Sequence, residues 1–204
     1  MVLISRDMST RNNVMVFIDG SYIRKHTKEK HGTDLLNYDT LGRLLAQTAV
    51  GSSANLIRIY YYDAIANMKD ADKIPDLEQR KIIEEEIKDL IKKQEHYFER
   101  INKQEFVTIR QGHLVVANKE NPRQKGVDVL MAIDMLTAAN EKQYDWAVLV
   151  AGDSDFLDLV KAVKQTGANI MGFYFKEHIS KELVNAFDRR NELDGFSFKG
   201  NNFI

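Results

Sequence analysis

Carboxylates stand at the ends of two of the most apolar segments in this chain. Val14-Met15-Val16-Phe17-Ile18 runs into Asp19-Gly20, and Trp146 to Ala151 runs into Gly152-Asp153-Ser154-Asp155. Short, fully apolar runs of this kind read as buried strands. In an open parallel sheet, ligands gather beyond the carboxyl ends of the strands, where strand order reverses. If the two strands are neighbours, Asp19, Asp153 and Asp155 share one pocket, and carboxylates that close raise each other's pKa unless a cation neutralises them. Hard oxygen donors without His or Cys suit Mg²⁺ or Mn²⁺. Such a site activates water and steadies the charge on a phosphodiester under in-line attack. Plainer roles compete: Asp155 or Ser154 as the cap of a following helix, and Asp19 before Gly20 as a turn residue.

A third acidic segment is Lys125-Gly126-Val127-Asp128 through Ile133-Asp134. Asp128 falls in the first turn of a helix, where the dipole favours an anion, so it is a cap or a ligand. At 100° per residue Asp134 shares a face with Val127, Leu130 and Ala138. A carboxylate on an apolar stripe must be paired, protonated or bound. It lies about 120° round the helix from Asp128, so the two do not ligate one ion, and Asp134 is expected to support the ligands from behind. The stretch from Lys119 to Lys125 leads into this helix, making Arg123 and Lys125 candidate phosphate contacts. Lys125 has an alternative partner in a site carboxylate. Lys176, His178 and Lys181 follow the last strand and extend the same rim. His113 and His178 have no second His at ligand spacing, so neither is expected to bind zinc.

These residues need elements to position them. The chain has 204 residues, 30 Asp+Glu against 29 Lys+Arg, 44% hydrophobic residues, 11 Gly, 2 Pro and no Cys. Such a composition excludes disordered and collagen-like chains and suits one domain. Without Cys there is no disulfide, thiolate-zinc site or cysteine nucleophile, and the expectation is a soluble cytoplasmic protein. A net charge of −1 argues against coating nucleic acid through bulk charge. The apolar run Trp146 to Gly152 is far short of the roughly 20 residues of a spanning helix. Residues 1–13 carry no signal-peptide pattern and read as a lead-in, with Met8 as an alternative start; the domain is expected over 14–193 and a tail over 194–204. Strands are expected at 14–18, 56–62, 106–110 with 114–117 (as one strand or a hairpin), 146–151 and 169–174. Helices are expected at 21–30, 38–49, 75–101, 127–140, 154–165 and 180–187. Strands alternating with helices imply an α/β fold with a mostly parallel sheet. The 75–101 helix carries Ile83, Ile87, Leu90, Ile91, Tyr97 and Ile101 on one stripe. It reads as a surface helix lying on the sheet, or as a coiled-coil-like homodimer contact.

Phe17-Ile18-Asp19-Gly20, Lys125-Gly126-Val127-Asp128 with Asp134, and Val150-Ala151-Gly152-Asp153-Ser154-Asp155-Phe156 together resemble the NYN domain family, in its LabA-like branch of the PIN-like nucleases. Tyr60-Tyr61-Tyr62-Asp63 and Gly167-Ala168-Asn169-Ile170 fit the same template, and the likeness spans Val14 to Leu193. It implies a Rossmann-like three-layer sandwich of about five strands in the order 3-2-1-4-5. It also implies a Mg²⁺- or Mn²⁺-dependent nuclease acting mainly on RNA, with single strands favoured. By the same resemblance Asp19, Asp128 and Asp153 bind metal, and Asp155 holds a second metal or orients water. The family commonly has Asn three residues after its first Asp. Tyr22 stands there instead, either to stack on a base or to pack, and the neighbouring Ser21 offers a hydroxyl. The other function class consistent with these residues is a catalytically weak or inactive module that binds RNA or protein. A haloacid dehalogenase-type phosphatase is disfavoured because Ser21, not Asp, lies two residues after Asp19. A dinucleotide enzyme is disfavoured because no G-x-G-x-x-G motif follows a strand.

Overall fold

A computed structural model describes residues 11–115 and 123–196. The lead-in over 1–10, Lys119 to Pro122 of the basic stretch, Val116 and Ala117 of the 114–117 segment and the tail from 197 onward lie outside the described residues. Seven strands form one sheet: β1 (Asn12–Asp19), β2 (Ala54–Ala66), β3 (Val107–Val115), β4 (Arg123–Lys125), β5 (Trp146–Val150), β6 (Asn169–Tyr174) and β7 (Arg189–Glu192). Their spatial order is β4-β3-β2-β1-β5-β6-β7, and every pairing is parallel except that of β4 with β3. The inner five strands reproduce the expected 3-2-1-4-5 order. Two further strands, β4 and β7, cap the edges, and they were invisible to hydrophobic patterning because Arg-Gln-Lys and Arg-Arg-Asn-Glu are polar throughout.

The apolar residues of β1 alternate between two cores, as the pleat requires. Met15 and Phe17 face a layer built from α4 (Val127–Asn140), α5 (Leu157–Gln165) and α6 (Lys181–Ala186), packing with Met131, Met135, Val160 and Leu183. Val14, Val16 and Ile18 face α1 (Gly20–His31) and α2 (Tyr38–Val50), packing with Ile23, Leu41 and Leu45. Burying each of these aliphatic side chains stabilises the fold by about 1.5–3 kcal/mol. The result is the three-layer sandwich.

α3 (Leu77–Asn102) starts one residue after Asp76, whose carboxylate accepts the Gln79 amide at 2.7 Å. Its apolar stripe lies on the protein's own sheet. Ile83 and Ile87 belong to one core, while Phe98 and Ile101 belong to the other, so the helix crosses from layer to layer. Leu77 and Ile82 remain exposed. Midway, the buried Gln94 acts as a short surrogate strand: its Oε1 accepts the Ala66 amide and its Nε2 donates to the Ala64 carbonyl, both at 2.9 Å. β3 is one strand, because the long β2 offers partners through Gln111, Gly112 and His113. Among the described residues no helix is long and apolar enough to cross a membrane.

Candidate active site

β1 and β5 are adjacent and in register, with Ile18 opposite Val150, so the residues that follow both strands emerge side by side. Asp19 ends β1 and caps α1. Its Oδ1 accepts the Tyr22 amide at 3.0 Å and the Ser21 hydroxyl at 2.8 Å, and Oδ2 accepts from no donor among the described residues. Asp153 plays the same part after β5. Its Oδ1 accepts the Asp155 amide at 3.0 Å and, more distantly, the Ser154 hydroxyl at 3.4 Å, opening a single 3₁₀ turn before α5. The cap is therefore Asp153, and neither Asp155 nor Ser154, both of which are exposed. Each capping carboxylate has one oxygen fixed by local donors, and its other oxygen accepts from no donor among the described residues. That is how an anion is held in place for a cation.

Charge coupling brings the third motif to the same place. Partial desolvation raises the Asp128 carboxyl above its usual range, and the negative charges of Asp153 and Asp155 raise it further. Asp19 is pushed up to about 6, mainly by burial, with the charges of Asp128 and Asp63 adding. The Tyr22 amide and Ser21 hydroxyl pull in the other direction. Asp128 is thus the link between the motifs: its charge acts on Asp19, and the charges of Asp153 and Asp155 act on it. No three of these carboxylates have their oxygens within 4.8 Å of one another, so they surround a common space rather than a closed ligand cage. Carboxylate oxygens are the donors a hard divalent cation takes.

Gly152 makes the turn possible. A Cβ there would lie 2.0 Å from the His178 carbonyl oxygen and 2.5 Å from the Tyr22 ring. Tyr22 fills this space as a packing residue: its hydroxyl accepts the Phe175 amide at 2.8 Å, and its ring meets His26 edge-on at 4.9 Å. Of the two readings for Tyr22, packing describes its surroundings, because the hydroxyl and ring are already engaged.

Asp134 is not drawn to the cluster. Arg110 holds it with a two-pronged ion pair, Nε to Oδ2 at 2.7 Å and Nη2 to Oδ1 at 2.8 Å, and the Tyr62 hydroxyl donates to Oδ2 at 3.0 Å. These contacts tie β2, β3 and α4 together. The apolar stripe supplied the right reason to look, since a carboxylate there needed a partner. Lys125 is exposed, and its backbone pairs with His113; Arg123 pairs through its backbone with Val115. Lys176 is exposed beyond β6, its amide donating to Asp194.

Sequence reasoning missed two groups here. Asp63, 1% exposed, accepts from the Ala64 amide, the Tyr61 hydroxyl and Gln124, and pairs with Arg24 at 2.9 Å. Asp63 was in view as the last residue of the Tyr60–Asp63 run, but nothing in the sequence joined it to Arg24. The second group corrects the reading of His178 as isolated. The fold lays its ring on that of His26, 152 positions earlier, with centroids 3.8 Å apart. Only the His-x-x-Glu spacing of His26 and Glu29 on α1 hinted at a paired site.

The model of the NYN domain matches residues 13–194. Among solved structures, a protein of unknown function from Vibrio parahaemolyticus superposes with a TM-score of 0.57 at 16% identity, covering 91% of this chain and 94% of that one. At that identity the likeness is one of fold. No curated protein matches the chain significantly.

Proposed function

From the membership of this chain in the NYN domain family, a nuclease-like class, we propose that it is a divalent-metal-dependent ribonuclease of the LabA-like branch. The observation that carries the reading is the position of Asp128 between the other two motifs, its charge acting on Asp19 and the charges of Asp153 and Asp155 acting on it. Asp19, Asp128 and Asp153 would hold Mg²⁺ or Mn²⁺, which supplies charge neutralisation and an acidified water at the scissile phosphate. Asp155, two residues on from Asp153 and exposed, would hold a second ion or orient the attacking water. Ser21 and Ser154 keep Asp19 and Asp153 in place through their hydroxyls.

Cations lie on several sides of the cluster. Arg24, Lys25 and Lys28 line a groove that begins at Ser21, next to Asp19. Lys125 directly precedes the turn into α4, and Lys176 follows β6. Arg24 is held by Asp63; Lys25, Lys28, Lys125, Lys176 and Arg123 supply phosphate contacts, which set position along a strand without reading its sequence. The test is cleavage of labelled single-stranded RNA with Mn²⁺, Mg²⁺ or EDTA, beside Asp153→Asn. Metal-dependent products from the wild type alone support the reading. RNA binding without turnover in the folded wild type, with metal present, replaces it with a binding module.

A further inference from the structure

Chain order keeps His26, Glu29 and His178 apart, and the fold brings their ligand atoms within 4.8 Å of one another. His26 Nδ1 and Glu29 Oε2, one turn apart on α1, are 3.0 Å apart. The His26 and His178 rings stack at 3.8 Å with an interplanar angle of 16°. His26 is 5% exposed, walled in by Tyr22 and by Phe175 at 5.5 Å.

We propose that His26, Glu29 and His178 form a Zn²⁺ site distinct from the carboxylate cluster. Two imidazoles and one carboxylate are a nitrogen-rich, borderline donor set of the kind zinc takes and Mg²⁺ does not. With bonds of about 2.0–2.1 Å, tetrahedral zinc spaces its donor atoms roughly 3.3 Å apart. The His26–Glu29 pair is already near that separation. Stacked rings hold their nitrogen lone pairs in nearly parallel planes, so binding requires His178 to turn out of the stack, while Glu29, whose side chain is 51% exposed, is free to follow.

Such an ion would tie α1, which starts at Asp19, to the turn after β6. That turn rests against the other half of the cluster: the Ser180 amide donates to the Gly152 carbonyl at 3.2 Å, and the His178 carbonyl covers Gly152. Zinc therefore acts as a clip holding the two Asp-bearing segments in their relative positions.

The test uses the Asp19→Asn/Asp153→Asn chain, which lacks the acidic site, titrated with Co²⁺ and then Zn²⁺. One equivalent of Co²⁺ should give the intense visible absorption of a four-coordinate ion, displaced by Zn²⁺. A hundredfold excess of Zn²⁺ over its dissociation constant should raise the melting temperature by about 5–10 °C. His178→Gln and Glu29→Gln should each weaken binding at least tenfold with an unchanged circular dichroism spectrum. Absence of the band, or a band unaffected by His178→Gln, overturns the site. If the double Asn chain does not fold, the same titration of wild type saturated with Mg²⁺ gives the same decision.

Discussion

A single oxygen at Asp19 organises the start of α1 while the other stays open, and burial makes the charge on that carboxylate costly. Its pKa of about 6 in the folded chain exceeds the ordinary 3.8. The folded state therefore binds the proton more tightly than the unfolded chain does. That contribution to stability is fully present below about pH 4 and is lost as pH rises through about 6, by up to about 3 kcal/mol. Asn still caps a helix but carries no charge. Asp19→Asn should therefore melt about 3–6 °C above the metal-free wild type at pH 8 and match it near pH 4, while RNA cleavage falls by at least 100-fold. Equal melting temperatures at pH 8 would mean that the carboxylate is well solvated. By the same linkage, Mg²⁺ affinity measured by calorimetry should decline as pH falls below about 6, where the proton competes for Asp19. Gly152 belongs to this scale as well. Gly152→Ala should cost about 1–3 kcal/mol in urea titrations, because the new methyl meets the His178 carbonyl, a backbone atom that cannot swing aside.

At the scale of elements, side chains finish what the strands begin. Gln94 of α3 pairs with both Ala64 and Ala66 of β2, so Gln94→Leu leaves a buried amide and a buried carbonyl unpaired. The expected cost is about 2–4 kcal/mol by chemical denaturation; a loss under about 0.5 kcal/mol would show that water takes over both bonds. Arg110→Ala and Asp134→Ala should couple in a double-mutant cycle by about 1 kcal/mol, modest because Arg110 is partly exposed. These tertiary contacts mark the boundary of what sequence reveals. The strands of β1, β5 and β6 were legible because burial on both faces demands unbroken apolar runs, and the acidic strand ends were legible because nothing apolar explains them. The Asp134–Arg110 pair was legible only by half: the stripe demanded a partner and could not say which. The stacking of His178 on His26 depends on the whole chain path, so no local pattern announces it.

For the whole molecule, a net charge of −1 conceals a local imbalance. Arg24, Lys25 and Lys28 share one groove on α1 with Asp34. Arg24 is paired with Asp63 and Lys28 faces Asp34 at 3.9 Å, which leaves Lys25 as the cation freest to meet phosphate. Binding to RNA there releases counterions in proportion to the phosphates neutralised. Lys25→Ala and Arg123→Ala should each reduce the slope of log affinity against log salt by nearly one, as read by fluorescence anisotropy of a labelled single strand; unchanged slopes in both would move the RNA path elsewhere on the surface. The sheet has a further consequence at this scale. Among the described residues its two outermost strands are β4, reading Arg-Gln-Lys, and β7, reading Arg-Arg-Asn-Glu. A rim of unpaired amides and carbonyls recruits strands from other copies unless short length and charge prevent it. Here both rims are short and cationic, so two native molecules that meet edge to edge repel. The apolar inner strands become sticky only when an outer strand peels off, which makes the integrity of seven polar residues the guard against fibrous self-association in concentrated solution.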